Sequence, residues 1–101
     1  MAQYRARDEV EFFDQESLTV SSTSVGLTAR QNDADYALIT IETDQVRWNM
    51  TGRNAVATDH LANIADIIEL EGPRNIVNFR ALRVTADATL RVSYGRYVRP
   101  T

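Results

Sequence analysis

Hydrophobic and polar residues alternate most regularly in two stretches of the chain. Between residues 36 and 43, Ile39 and Ile41 point to one side of an extended chain, and between residues 88 and 94, Leu90 and Val92 do the same. Side chains of a β-strand point alternately to its two faces, so both stretches are predicted to be strands with one buried face. The predicted inward positions are Ile39, Ile41, Ala88, Leu90, Val92 and Tyr94.

Shorter alternating stretches predict further strands in the first half of the chain. Residues 17–29 set apolar side chains among Ser and Thr, with a turn or bend at Ser21–Ser24. Residues 46–51 alternate again after a short corner at Asp44–Gln45, so they are expected to form a hairpin with residues 36–43. The inward positions here are Leu18, Val20, Val25, Leu27, Val46, Trp48 and Met50, and Trp48 is predicted to be buried.

The middle of the chain has a less regular pattern. One helical turn over Asp59–Ile64 is the best local alternative for the irregular segment 55–65. Alternation returns at residues 65–72, with Ile68 and Leu70 inward, and Gly72–Pro73 ends that strand. Residues 75–78 are predicted to be a loop or a single turn.

The next predicted strand, residues 79–85, contains an irregular step. Leu82 and Val84 are taken as its inward positions. The spacing from Phe79 to Leu82 breaks the two-residue period, so a bulge is expected near Arg80–Ala81.

These patterns together predict the fold class. About seven short strands, with turn signals every 8–12 residues, are typical of an antiparallel β-sandwich, jelly-roll-like or immunoglobulin-like, with a small barrel as the alternative. No helical pattern alternates with the strands, which argues against a parallel βαβ sheet. A length of 101 residues fits one domain. We divide the chain into an N-terminal arm, residues 1–16, and a sandwich domain, residues 17–101.

Composition narrows the functional classes. The chain has no cysteine, and all 11 basic residues are arginine. It lacks an apolar run long enough for a membrane span or a signal peptide, so we expect no membrane partner. Small secreted domains often need disulfides, so the absence of cysteine favours folding inside a cell. The net charge of −3 lies entirely in residues 1–16, and the remainder is neutral. A neutral body argues against nucleic-acid binding, which depends on neutralising phosphates.

The arm is the candidate binding segment. It carries two adjacent aromatic residues, Phe12 and Phe13, which gain free energy only when they are buried. We therefore predict that it docks on a neighbouring molecule or on its own domain; an ordinary first strand at the edge of the sandwich is the alternative. The predicted partner-binding residues are Tyr4, Arg5, Arg7, Phe12 and Phe13.

Residues that could carry chemistry are few. His60 is the only histidine, and its neighbour Asp59 is not expected to give it the geometry of a general base. Glu69 and Glu71 fit the outward face of a strand better than a pair of catalytic carboxylates. We predict no enzyme activity, no cofactor and no metal site. Calcium binding by Asp33, Asp35 and Asp44 is the weaker alternative, because the chain has no EF-hand loop.

Two further motifs have a functional and a structural interpretation. Asn49-Met50-Thr51 matches the N-glycosylation pattern but lies within a predicted strand, so we discount it. Trp48 could stack on a sugar, although its alternation favours packing in the core.

Four runs in the second half carry a family resemblance. They are Val46-Arg-Trp-Asn-Met-Thr-Gly52, His60 to Gly72 with its Asp-Ile-Ile-Glu-Leu strand, Ile76-Val-Asn-Phe-Arg-Ala-Leu-Arg-Val84, and Ala88-Thr-Leu-Arg-Val-Ser-Tyr-Gly-Arg96. This pattern, over residues 36–97, resembles small β-sandwich virion proteins of tailed bacteriophages, including capsid decoration (cement) proteins. Thr51–Gly52 and Ala57–Thr58 stand where such proteins usually carry Asp-Gly and Pro-Thr pairs.

The resemblance implies a structural role and no catalytic residues. It implies a homo-oligomer, typically a trimer, that binds the major capsid protein and stabilises the head. The chain would then be made in the host bacterial cytoplasm and reside in the virion. The alternatives are a tail or head-to-tail junction component, and a carbohydrate-binding or adhesive module, which requires exposed aromatic side chains.

Overall fold

The computed structural model describes residues 9–28 and 33–98. It confirms the predicted all-β fold: seven strands form two antiparallel sheets that pack as a small β-sandwich, with one short helix. The elements are β1 (Glu9–Val20), β2 (Tyr36–Ile41), β3 (Val46–Asn49), β4 (His60–Ala62), β5 (Ile67–Glu71), α1 (Pro73–Asn78), β6 (Arg80–Arg83) and β7 (Ala88–Val98).

The four-stranded sheet, which we call sheet A, has the order β1-β7-β2-β5. Its strands β1 and β7 have 12 and 11 residues, longer than the short strands predicted. They pair antiparallel from Glu9 opposite Val98 to Val20 opposite Ala88. β1 and β5 are the two edge strands, so each offers one unpaired side.

The three-stranded sheet, sheet B, has the order β4-β3-β6. The chain passes from β1 to this sheet at residues 21–25, where the Arg83 amide donates to the Ser21 carbonyl at 3.0 Å. Val25 and Ala81 then exchange two backbone hydrogen bonds of 2.9 Å. The free side of β6 is therefore covered by the segment that follows β1.

The predicted hairpin of residues 36–43 with 46–51 is wrong. β2 pairs with β5 and β7 in sheet A, whereas β3 lies in sheet B. The connection changes sheets: the Glu42 amide donates to the Thr89 carbonyl, and the Val84 amide donates to the Gln45 carbonyl. Alternation shows which face of a strand is buried but does not choose the partner strand.

The core lies between the inner faces of the two sheets. The inward positions predicted for β2, β5 and β7 are confirmed, as are Leu18, Val20 and Leu27. Tyr94 and Phe79 are the largest of the fully buried side chains. The other fully buried ones are Ile39, Ile41, Leu70, Ile76, Leu90, Val20, Val46 and Val92.

The helix lies elsewhere than predicted. Residues 60–62 form β4, so the suggested helical turn over Asp59–Ile64 is wrong. The one described helix is α1, in the segment predicted to be a loop or single turn. Pro73 opens it, and Gly72 precedes it with a φ of 96°, a conformation that glycine adopts without strain.

The bulge is also elsewhere than predicted. β6 pairs with β3 without a register shift; Ala81 is its buried position, and Phe79, the residue just before the strand, is buried as well. Leu82 is only partly buried and Val84 is 40% exposed, so the inward face of this strand was assigned one residue out of step. The observed bulge is in β1, between Phe12 and Asp14.

Candidate protein-binding surface

The site begins with a ribbon that extends beyond the rest of sheet A. β2 starts at Tyr36, opposite Gly95, so β1 is the only strand that pairs with residues 96–98 of β7, although the Tyr97 amide also donates to Asp35 Oδ2 at 3.1 Å. We call residues 9–13 and 95–98 the ribbon. Two strands alone are marginally stable in water, because they bury little apolar surface. The ribbon therefore gains most from a partner that covers it.

Phe12 lies on the outer face of the ribbon. Its ring meets that of Tyr36 edge-on at 5.9 Å between centroids, yet the residue is 49% exposed. The ring and Val10 cover Gly95, where an added Cβ would lie 2.6 Å from Val10 Cγ1. Glycine is required there because the two side chains occupy the space above it. Phe12 is thus held in place and still presents half its surface.

Phe13 has a different environment. It is the extra residue of the bulge and packs, partly buried, against the core. The Arg96 guanidinium carbon lies 4.3 Å from the centroid of its ring, a cation–π contact. The structure therefore separates the two predicted anchors: Phe13 contributes to the fold, and Phe12 remains available to a partner.

Tyr36, which contacts Phe12 on the outer face of sheet A, is itself held by a residue of β5. Its hydroxyl donates a 2.8 Å hydrogen bond to Glu69 Oε2 across two neighbouring strands. Burial and this hydrogen bond raise the pKa of Tyr36 to about 12, so the hydroxyl stays protonated at neutral pH. Val10, Phe12, Tyr36 and Tyr97 share the outer face, which we call the aromatic patch.

Residues 9–16, assigned to the arm from the sequence, form the first part of β1 and pair with β7 of the same chain. For residues 9–16 the structure thus has the alternative given above, an ordinary first strand at the edge of the sandwich. Glu16 accepts hydrogen bonds from the Tyr94 hydroxyl and from the hydroxyl and amide of Thr28. Burial and the Glu16 bond raise the pKa of Tyr94 well above its usual range. Contact of this segment with another molecule stays a prediction.

Three of the predicted partner-binding residues, Tyr4, Arg5 and Arg7, lie outside the described residues. They precede the first residue of β1, Glu9, by two to five positions. Their binding role stays a prediction.

Trp48 is only partly buried, which corrects the prediction of a buried residue. Its ring stacks on the buried Phe79 at 6.0 Å and meets the exposed His60 at 5.1 Å. Met50, expected on the same inward face, follows the end of β3 and is 38% exposed. Trp48 therefore closes one end of the core and keeps some exposed surface.

The glycosylation motif belongs to a hydrogen-bonded loop. Asn49 is 4% exposed, and its amide nitrogen donates to Asp59 Oδ2 at 2.9 Å. The hydrogen bonds from Asn49, from the Val56 amide and from Arg53 lower the pKa of the Asp59 carboxyl to about 2. A buried amide engaged in this way is not accessible to a sugar, which agrees with discounting the motif.

The other candidate residues for chemistry lie apart. Glu69 and Glu71 point outward from β5, and His60 is exposed on β4. Within residues 9–28 and 33–98, no three His, Cys, Asp or Glu side chains lie close enough together to hold a metal ion. In the same ranges no helix is long and apolar enough to cross a membrane.

Sequence reasoning missed several exposed apolar side chains. Leu61, Ile64 and Ile67 are 42%, 54% and 61% exposed. The inward assignment of Ile68 and Leu70 already implied that Ile67 points outward, so this part of the signal was present in the pattern. Leu61 could not be assigned because its segment was not recognised as a strand.

Comparisons with protein-family models, with curated proteins and with solved structures give no match for this chain.

Proposed function

We propose that this protein is a non-enzymatic binding module that attaches to a larger protein assembly through its ribbon. The observation that carries the proposal is Phe12, held by Tyr36 and Gly95 and half exposed at the base of a two-stranded ribbon. Exposed aromatic side chains in a fixed orientation are typical anchors of protein interfaces, since they bury a large area at little entropic cost.

The assembly that we propose is the head of a tailed bacteriophage, with the chain acting as a capsid decoration protein. The support is the sequence resemblance over residues 36–97 together with the confirmed all-β sandwich. The proposed partners are the major capsid protein and further copies of this chain, as a trimer. A tail or head-to-tail junction position uses the same surface at another place in the particle.

The expected strength of one contact favours a repetitive partner. Burying the exposed half of one phenylalanine contributes about 0.8–1.5 kcal/mol, half of the value for a whole side chain. One such anchor gives weak binding, because association also costs translational and rotational freedom. A lattice that binds several linked copies at once raises the overall affinity by the effective concentration of the second site.

The experiment compares two variants of β1. Phe12→Ala removes the anchor, and Thr19→Ala changes an exposed residue on the same strand, far from the ribbon. Each tagged variant is mixed with intact virus particles, and the copies bound per particle are counted after sedimentation. The proposal expects wild type and Thr19→Ala to bind in a number that matches the particle symmetry, and Phe12→Ala to lose most of it. Equal binding of all three places the contact elsewhere.

A carbohydrate-binding module remains the alternative from another class. The observation in its favour is the partly exposed Trp48 beside His60. Binding to a glycan array that is lost in Trp48→Ala and kept in Phe12→Ala would establish it against the virion role.

A further inference from the structure

The outer face of sheet B carries positive charge and apolar side chains together. Arg47 of the central strand β3 has two register partners, Leu61 on β4 and Leu82 on β6, so these three side chains form one row across the sheet. Arg80 and Val84 lie two residues before and two residues after Leu82, so they point to the same side of the sheet. We call these five residues the basic face.

The two arginines of the basic face are held in place, but the fold does not compensate their charge. Arg47 donates a 3.1 Å hydrogen bond to the Asp59 carbonyl. Arg80 donates one of 3.2 Å to the Phe79 carbonyl, and its guanidinium lies over Gly26, where it occupies the space that a side chain would need. Among the residues that the structure describes, no carboxylate forms an ion pair with either arginine.

The apolar part of the basic face is open to solvent. Leu61 and Val84 are 42% and 40% exposed, and Leu82 is partly buried. Arginine and large apolar residues are enriched in the cores of protein interfaces, where Glu and Asp are depleted. The basic face therefore suits a protein surface that is acidic and also carries apolar side chains.

The ribbon presents such a surface on the side opposite the aromatic patch. Glu9 and Glu11 alternate with Val10 and Phe12 along β1, so they point to the other side of the ribbon. Glu9 lies opposite Val98 in the register, and Glu9, Glu11 and Val98 are all exposed. We call these three residues the acidic tip.

One arginine shares this side of the ribbon without neutralising the acidic tip. Arg96 lies opposite Glu11, but its guanidinium is placed over the ring of Phe13, which packs against the core. In residues 9–28 and 33–98, neither Glu9 nor Glu11 forms an ion pair. Two carboxylates therefore stay available at the end of the ribbon.

We propose that copies of this chain associate head to tail, with the acidic tip of one copy against the basic face of the next. The two carboxylates then face the two arginines, and Val98 contacts the exposed leucine of the basic face. A contact between two different surfaces repeats from copy to copy, and it closes into a ring when the rotation allows.

This inference rests on the proposed self-association and names its contact. Phe12 lies on the other side of the ribbon, so a copy held in this way can still bind the particle. Only a few side chains of each copy take part, so we expect one contact in solution to have a dissociation constant in about the micromolar to millimolar range.

The test reverses one charge on each surface of the full chain. Glu9→Arg and Arg47→Glu each bring like charges together, and each should weaken association about 10- to 100-fold. The double variant restores opposite charges at every contact and keeps the wild-type net charge, so it should associate nearly as the wild type does. Analytical ultracentrifugation up to millimolar concentration measures association, and circular dichroism checks that each variant is folded. Arg74→Glu on α1 is the control for a change of net charge.

Leu61→Ser tests the apolar part of the contact without changing any charge. It should weaken association about three- to ten-fold, whereas Ile67→Ser, at an exposed position on the outer face of sheet A, should have no effect. A double charge variant as weak as the single ones overturns the contact, and so does a wild-type chain that is monomeric at millimolar concentration. Phe12→Ala should keep the association of the free protein while it loses the particle, which separates this inference from the ribbon proposal.

Discussion

Sheet A and sheet B differ in how far local sequence determines them. The strands of sheet A are mostly long, and β2, β5 and β7 have the inward residues that their alternation predicts. The strands of sheet B have three or four residues, too few for an alternating pattern to be distinguished from chance. Sheet B is instead defined by contacts between distant parts of the chain, such as the bridge from Val25 to Ala81.

The two sheets also differ in charge. The strands of sheet A carry six carboxylates and two arginines, a net charge of −4, whereas those of sheet B carry three arginines and no carboxylate, a net charge of +3. Carboxylates on the edge strand β1 also discourage two copies from pairing along that edge. The residues counted are Glu9, Glu11, Asp14, Glu16, Glu69, Glu71, Arg91 and Arg96 in sheet A, and Arg47, Arg80 and Arg83 in sheet B.

The largest loss of stability is expected from a substitution in the core between the two sheets. Phe79→Ala removes a fully buried side chain that also supports Trp48, so it should lower the free energy of unfolding by about 3–5 kcal/mol. Trp48 fluorescence should shift to the red in the folded state. Urea unfolding followed by circular dichroism and by Trp48 emission measures both sheets. A loss under 1 kcal/mol contradicts the shared core.

A smaller effect is expected at the two adjacent phenylalanines, and it should differ between them. Phe13→Ala should cost about 1–3 kcal/mol, because its ring packs against the core and Arg96. Phe12→Ala should cost about 1 kcal/mol or less, because it loses mainly one edge-on aromatic contact. Urea unfolding of both variants makes the comparison. Equal costs show that the two side chains do not lie on different faces of the ribbon.

Low pH should lower the free energy of unfolding, because it protonates the Asp59 carboxylate in the loop between β3 and β4. The pKa of this carboxyl is about 2 in the folded protein, below its ordinary value of 3.8, so the carboxylate form is favoured by folding. Its stabilisation is complete above about pH 4 and is lost as the pH falls through 2. Asp59→Asn should therefore show a flatter pH dependence than wild type in urea unfolding between pH 5 and 2. Parallel curves for the two proteins contradict this role.

The smallest effect is a gain in stability at the turn of residues 63–66. Ala65→Gly should raise the free energy of unfolding by about 0.5–1 kcal/mol, since glycine adopts the positive φ without strain although it loses more entropy on folding. Thermal unfolding compares it with Ala57→Gly, a change in an exposed segment where no positive φ is found. A loss of stability in Ala65→Gly shows that the left-handed conformation costs nothing here.

The fold class and most inward positions of sheet A could be predicted from the sequence, because alternation of apolar and polar residues shows which face of a strand is buried. The sequence was not sufficient for strand partners: Ile41 and Val46 lie on consecutive strands but in different sheets. The bulge at Phe13 was missed because the residues around it show no two-residue alternation that the bulge could visibly interrupt. The separate roles of Phe12 and Phe13 depend on Gly95 and Arg96, more than 80 residues away in the chain.

The most direct test of the account is hydrogen exchange of the free protein against the particle-bound protein. The amides of residues 9–11 and 96–98 lie where the ribbon has only two strands, so they should exchange rapidly in the free protein. If the ribbon is the attachment surface, these amides become strongly protected on the particle, while those of β3 and β6 change little. Protection confined to β3 and β6, with the ribbon unchanged, contradicts the central claim.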